Sequence, residues 1–263
     1  MKSSRHGHVV SLPRPAPPPF DAVGASPIDP LALYAGGIDT SDYVAGVGGA
    51  LRRLIPSVGD LLDLGAGGGQ LGAALRQQGR RWTAVEPSAS MRDRLARLDP
   101  APEIVAAGWE NASVAPADTV LAANMPAPLT EPASFLARCR NLARRRVVWV
   151  VPAQNGPRGL CLAGCLPREW HGEDETPGVD IVMAGLAPAD RTPVTAEIGW
   201  TFSLIVSDLP RLAAYLAGRL GWPEADPRRP VLFNHLAAQA RPEQGVLRLS
   251  VPRRSAILIW SLT

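Results

Sequence analysis

Residues 60–72 read Asp-Leu-Leu-Asp-Leu-Gly-Ala-Gly-Gly-Gly-Gln-Leu-Gly, and the side chains best placed to do chemistry cluster around them. Asp63 stands two residues before the first glycine of the group Gly65, Gly67, Gly68 and Gly69, and Glu86 follows 21 residues beyond Gly65. A turn free of side chains that opens a helix lets a ligand lie against bare backbone N–H groups, while the two carboxylates add acceptors close by. Other reactive groups are sparse. His171, Asp174 and His235 are candidate bases, and Cys161, Cys165 and His171 form a C-x3-C-x5-H cluster. That cluster lacks a fourth ligand at zinc spacing, and Leu162 and Leu166 suit ordinary packing, so no metal is expected.

The surrounding pattern supplies the elements that must hold these residues. The apolar run Leu61–Leu64 predicts a buried strand, and Gln70–Gln78 predicts a helix with Leu71 and Leu75 inward and Gly79 past its end. Further strands are expected at Trp82–Glu86, Ile104–Ala107, Thr119–Ala123 and Val147–Val151. Helices are expected from Ser88, with Met91, Leu95 and Leu98 on one face, and from Thr130 or Glu131 through Leu142, with Pro132 in the first turn. Before them, Tyr43, Val44, Val47, Leu51, Leu54 and Ile55 predict a helix over 40–56. Alternation of this kind implies a parallel sheet covered on both faces. Beyond it, a helix is expected over Gly178–Leu186 and a strand over Ala196–Val206. A helix capped by Ser207 and another over Val231–Ala238 follow. Gly245–Ser250 and Ala256–Leu262, flanking Pro252-Arg253-Arg254, read as an antiparallel hairpin. The fold class expected is α/β: a doubly wound, mostly parallel seven-stranded sheet with helices on both faces and a C-terminal antiparallel hairpin. Residues 1–27, with six of the 27 prolines, read as a flexible arm. Residues 28–263 read as one domain, its ligand-binding half at 40–152 and the remainder at 153–263.

Bulk properties exclude several classes. The chain has 263 residues, 46% hydrophobic, and no apolar run of the roughly 20 residues that a membrane-spanning helix needs. Its proline-rich start lacks the apolar core of a secretory signal, and three cysteines form no even disulfide framework; a cytoplasmic location and no membrane partner are expected. The charge is +3 and the densest basic run, Arg138, Arg140, Arg144, Arg145 and Arg146, falls at the expected end of a helix. Positive charge there suits the helix dipole, and no aromatics interleave it, so no nucleic-acid partner is expected.

Ligands of open parallel sheets bind beyond the carboxyl ends of the strands where strand order reverses, and the 65–69 turn forms the lip of that crevice. A carboxylate at 86 can accept from both hydroxyls of a ribose, which points to an adenosine ligand. Two details separate the adenosines. A dinucleotide fingerprint wants glycine where Gln70 stands. Asp63 would also repel a diphosphate but favour an ammonium.

On these residues the chain resembles the class I (Rossmann-like) S-adenosylmethionine-dependent methyltransferases: Asp63-Leu64-Gly65-Ala66-Gly67-Gly68-Gly69, the strand end Val85-Glu86-Pro87-Ser88, and Met91 in the next helix. The resemblance covers about 40–150. It implies that Gly65, Ala66 and Gly67 approach the methionyl part of the cofactor, that Asp63 supports its amino group, and that Glu86 holds the ribose, with Pro87 and Met91 nearby. After the third strand the chain reads Ala107-Gly108-Trp109-Glu110, with glycine where relatives carry an acid toward adenine. Trp109 either stacks on adenine or belongs to the core, and Glu110 either replaces the missing acid or lies on the surface. Asn124-Met125-Pro126-Ala127 is faintly similar to the N-P-P-Y signature of amino-group methyltransferases and reads as a loop lining the pocket, with Asn124 facing the cofactor.

The expected function is therefore S-adenosylmethionine-dependent methyl transfer to a small-molecule acceptor. His171 and His235 are the candidate catalytic residues, although aligned displacement from a sulfonium does not require a base. The alternatives are an NAD-dependent oxidoreductase, which predicts glycine at 70 and no acid at 63, and a non-catalytic S-adenosylmethionine-binding module. Other chemistry of the same cofactor, such as aminocarboxypropyl transfer, would use the same pocket.

Overall fold

The computed structural model describes residues 27–156, 165–172, 176–243 and 245–262. The proline-rich stretch 1–26, Cys161 and Asp174 lie outside the described residues.

Helix α1 (Pro30–Asp39) comes first, then a π-helical turn (Val44–Gly48) that runs into α2 (Gly49–Leu54). Strand and helix then alternate through β1 (Leu61–Leu64), α3 (Gln70–Leu75), β2 (Trp82–Val85), α4 (Ala89–Leu95), β3 (Glu103–Val105) and β4 (Ala117–Ala123). After a 3-10 turn at Ala127–Leu129 come α5 (Pro132–Leu142) and β5 (Ala143–Pro152). The C-terminal part holds α6 (Arg168–His171), α7 (Gly178–Gly185), β6 (Val194–Val206), α8 (Leu209–Arg219), α9 (Arg228–Gln239), β7 (Arg241–Glu243) and β8 (Val246–Ser261).

One sheet has the order β3-β2-β1-β4-β5-β8-β6, with the short β7 paired to β8 off that path. The first five strands of the path are parallel, whereas β8 runs antiparallel to both β5 and β6. Apolar cores cover both faces, and the alternation of side chains along a strand assigns residues to one or the other. Leu61 joins the core under α2, α3 and α8, while Leu62 and Leu64 join the core under α5 and α7. Asp63 therefore points to the same face as Leu61. Strand order turns back at β1, with β2 on one side and β4 on the other, which opens the crevice where this fold holds ligands.

Four expectations need correction. The terminal hairpin is not bent at Pro252-Arg253-Arg254: β8 runs unbroken through them, and its antiparallel partner is β6. The proline is tolerated because it stands opposite Thr201, whose N–H points away from β8 to Asp42 Oδ1 at 2.6 Å. The missing N–H of Pro252 therefore faces the flank between the ends of β7 and β5, where no strand pairs with β8. Second, the helix expected over 40–56 starts as a π-helical turn after Tyr43, and an unforeseen α1 precedes it. Third, Asp208 rather than Ser207 caps α8, accepting from the Arg211 N–H at 2.9 Å. Fourth, Arg144, Arg145 and Arg146 open β5 instead of closing a helix. Arg144 there reaches Asp60 at 2.8 Å and Asp118 at 3.1 Å, acids at the amino ends of β1 and β4.

Candidate active site

The first two βα turns build the floor of the site. Gly65, Gly67 and Gly69 have φ of 63°, 56° and 80°, left-handed values that a side chain disfavours. At two of them a side chain would also press on a neighbour. A Cβ on Gly65 would lie 2.5 Å from Met125 Sδ, and one on Gly69 would lie 2.5 Å from Leu95. A Cβ on Gly67 would enter open space, so that glycine leaves room for something other than protein.

Contrary to the expectation of bare donors, four of the turn's N–H groups are spent inside the protein. Gly65 and Ala66 donate to Val85 O at 2.9 and 3.2 Å, Gly67 to Glu86 Oε2 at 2.8 Å, and Gly69 to Ala66 O at 2.9 Å. The other Glu86 oxygen accepts from the Ser88 N–H at 2.8 Å. Glu86 is buried and thus staples the glycine turn to the start of α4, keeping its remaining lone pairs for a ligand.

Asp63 lies under α3, where the absence of a side chain at Gly72 gives its carboxylate room beside the Trp82 indole. Burial, helped by the negative charge of Glu86, pushes its pKa up to about 8. A buried acid so poised favours an arriving cation, which restores the charged form.

Asp63, Gly65, Ala66, Gly67, Glu86, Pro87, Met91, Trp109, Glu110 and Asn124 all line one cavity of about 460 Å3. Glu110 answers the glycine at 108 in space: a Cβ on Gly108 would lie 2.6 Å from Glu110 Oε2. Trp109 lines the cavity and meets Phe135 edge-on at 5.0 Å in the core behind. Asn124 takes φ of 53° directly after β4 and ties its N–H to Val150 O at 3.0 Å. Such backbone strain is tolerated where the surroundings impose it.

The candidate bases do not join them. His235 on α9 contacts Cys165 O at 2.7 Å and Gln239 Nε2 at 2.6 Å, with Trp170 edge-on to its ring at 5.1 Å. Those contacts fix α9 to the segment before α6 and keep the imidazole away from the cavity. His171 ends the four-residue α6 and does not line the cavity either.

Sequence reasoning missed the roof. Pro30, Leu31, Tyr34, Ala35 and Ile38 of α1 line the same cavity, with Tyr43 beyond them. Asp29 followed by Pro30, an N-cap and a first-turn proline, was the available signal.

Residues 62–150 match the family described as a methyltransferase domain. That match places a methyltransferase domain on the strands and helices that build the glycine turn, in the half of the sheet where strand order reverses. No curated protein matches the chain. Solved structures with a similar fold include a candidate type II methyltransferase from Anaeromyxobacter dehalogenans, 21% identical over 90% of this chain and 98% of that one, with a TM-score of 0.47. A candidate methyltransferase from Bacillus halodurans C-125 is 11% identical over 81% and 97%, with a TM-score of 0.46. Magnesium protoporphyrin IX methyltransferase from Synechocystis PCC 6803 is 12% identical over 89% and 86%, with a TM-score of 0.39. None of these likenesses bears on what this chain methylates. Among the described residues, no helix is long and apolar enough to cross a membrane.

Proposed function

We propose that this enzyme holds S-adenosylmethionine against the glycine turn and methylates a small molecule that enters beside α1 and the 124–127 turn. When bound, the cofactor supplies an electrophilic methyl group on a sulfonium. Asp63, with Gly65, Ala66 and Gly67, takes the methionyl end, its carboxylate toward the amino group. Glu86 accepts from the ribose hydroxyls with the lone pairs left by Gly67 and Ser88. Pro87, Met91, Trp109 and Glu110 form the adenine end, and Asn124 stands at the acceptor side.

One observation carries this reading: the turn spends the N–H groups of Gly65, Ala66, Gly67 and Gly69 internally and has carboxylates beside it. A dinucleotide's pyrophosphate needs free donors and repels carboxylates, whereas a cationic adenosine needs neither donor and welcomes the acids. Gln70 supports the same choice. Instead of leaving the close approach a dinucleotide glycine would give, its side chain donates to Asp39 Oδ1 at 2.8 Å and Ala35 O at 3.2 Å.

Catalysis in this reading is alignment of acceptor and methyl group, with water kept out by α1. The buried thiols of Cys139 and Cys165 support a cytoplasmic location. Local pairing of Arg144 with Asp60 and Asp118 supports the absence of a nucleic-acid partner.

The test is incubation of the full chain with methyl-labelled S-adenosylmethionine and a cell extract split by size. Label should enter the small-molecule fraction. Label found only in protein or nucleic acid would refute the acceptor class.

A further inference from the structure

Resting on that reading, we infer that the acceptor is an apolar, aromatic-sized molecule that is neutral or cationic at the end entering the cavity, and that carboxylates and phosphates are rejected. Once the cofactor-facing residues are set aside, the wall on the side of α1 and the 124–127 turn includes Leu31, Tyr34, Ile38, Tyr43, Met125 and Ala127, while the polar Gln70 and Ser88 lie by the starts of α3 and α4. The former are apolar surfaces and two phenols. Aromatic rings stand behind the phenols, with Tyr34 stacked on Phe202 at 6.1 Å and Tyr43 tilted on Trp200 at 4.7 Å. A wall of this composition fits a planar apolar body.

The wall is held in place, so its shape can select. At its first end, Ser90 Oγ donates to Asp29 Oδ2 at 2.7 Å. At its last end, Asp39 accepts from Gln70 and pairs with Arg94. Between them Gly37 lacks the side chain that would strike Phe202, which lets α1 settle on β6.

Charge supplies the second criterion. Among the described residues, the acidic and basic side chains lining the cavity are Asp63, Glu86 and Glu110, all carboxylic acids. The cofactor's ammonium offsets Asp63 and its sulfonium offsets its own carboxylate, which leaves Glu86 and Glu110 uncompensated. An acceptor bringing a further anion meets these two acids in partly desolvated surroundings, where such repulsion is weakly screened. A neutral or cationic group meets no such cost.

The probes are 2-naphthol, 2-naphthylmethylamine and 2-naphthoate, titrated by calorimetry into the full chain saturated with S-adenosylhomocysteine. The neutral and cationic probes should bind at least about 10-fold more tightly than the carboxylate. Ala127→Arg, a change at an exposed position of the wall, should raise naphthoate affinity by about 10-fold or more. Naphthoate binding as tightly as the others, or no probe binding at millimolar concentration, would overturn the acceptor inference alone. Failure of S-adenosylhomocysteine itself to bind would overturn the cofactor placement and this inference together.

Discussion

Glu86 Oε2 accepts the N–H of Gly67 at 2.8 Å, so the acid that follows β2 fixes the turn that follows β1. A residue that shapes the turn and also faces the ligand should be sensitive to small changes. Glu86→Gln retains one acceptor oxygen but turns an NH2 toward the other backbone N–H. Charge-assisted hydrogen bonds are worth about 1.5–3 kcal/mol, so S-adenosylhomocysteine affinity should fall by about 10- to 100-fold. Calorimetry on the variant reads this directly, and unchanged affinity would remove Glu86 from the site.

The raised pKa of Asp63 predicts a pH dependence of defined sign. In the unfolded chain the carboxyl loses its proton near 3.8, whereas the folded chain keeps it up to about 8. The folded state thus binds more protons between those values, and the contribution of Asp63 to stability falls as pH rises through that window. Asp63→Asn should flatten the fall, measured as Tm from pH 5 to pH 8. If Asp63 meets the cofactor's ammonium, binding at pH 6.5 should also release a proton. Calorimetry in buffers of different ionisation enthalpy should detect that release in the natural protein and not in Asp63→Asn.

Gly65 and Gly67 share left-handed backbone but differ in the space around them. Gly67→Ala should cost about 1 kcal/mol of stability, from strain alone, while blocking the cofactor. Gly65→Ala adds a clash with Met125 and should cost more, about 2–4 kcal/mol. Denaturant unfolding separates the two. Equal losses would mean that Met125 yields freely.

His235 should matter for stability and not for the cofactor. His235→Ala removes its contacts with Cys165 and Gln239 and its edge-on packing with Trp170. The expected loss is about 1–3 kcal/mol, with S-adenosylhomocysteine affinity within about 2-fold of the natural protein. A large loss of affinity without destabilisation would return His235 to the list of catalytic candidates.

The parts of the fold that were legible in sequence have strong local signals. The buried run Leu61–Leu64 has the observed bounds of β1, and the glycines after it mark a turn that few other residues can make. Ser88 caps α4, accepting from the Met91 N–H at 3.4 Å as its position before the helical pattern implies. What stayed hidden depends on distant contacts. Helix α1 carries Gly36 and Gly37, poor helix formers, and is held by Gln70, Arg94, Ser90 and the space left for Phe202. Pro252 resembles a turn until the unpaired flank of β8 is seen. The ten residues expected at the cofactor line one cavity because most of them follow the carboxyl ends of β1 to β4. The α1 roof was missed because its helix is fixed from outside.

A cationic adenosine, and not a dinucleotide, should occupy the cavity beneath α1. Isothermal titration calorimetry of the full chain with S-adenosylhomocysteine and, separately, NAD tests it most directly. One molecule of S-adenosylhomocysteine should bind per chain with micromolar affinity, lost in Asp63→Ala and Glu86→Ala, and NAD should give no heat at millimolar concentration. Tight NAD binding, or no binding of S-adenosylhomocysteine at that concentration, would contradict it.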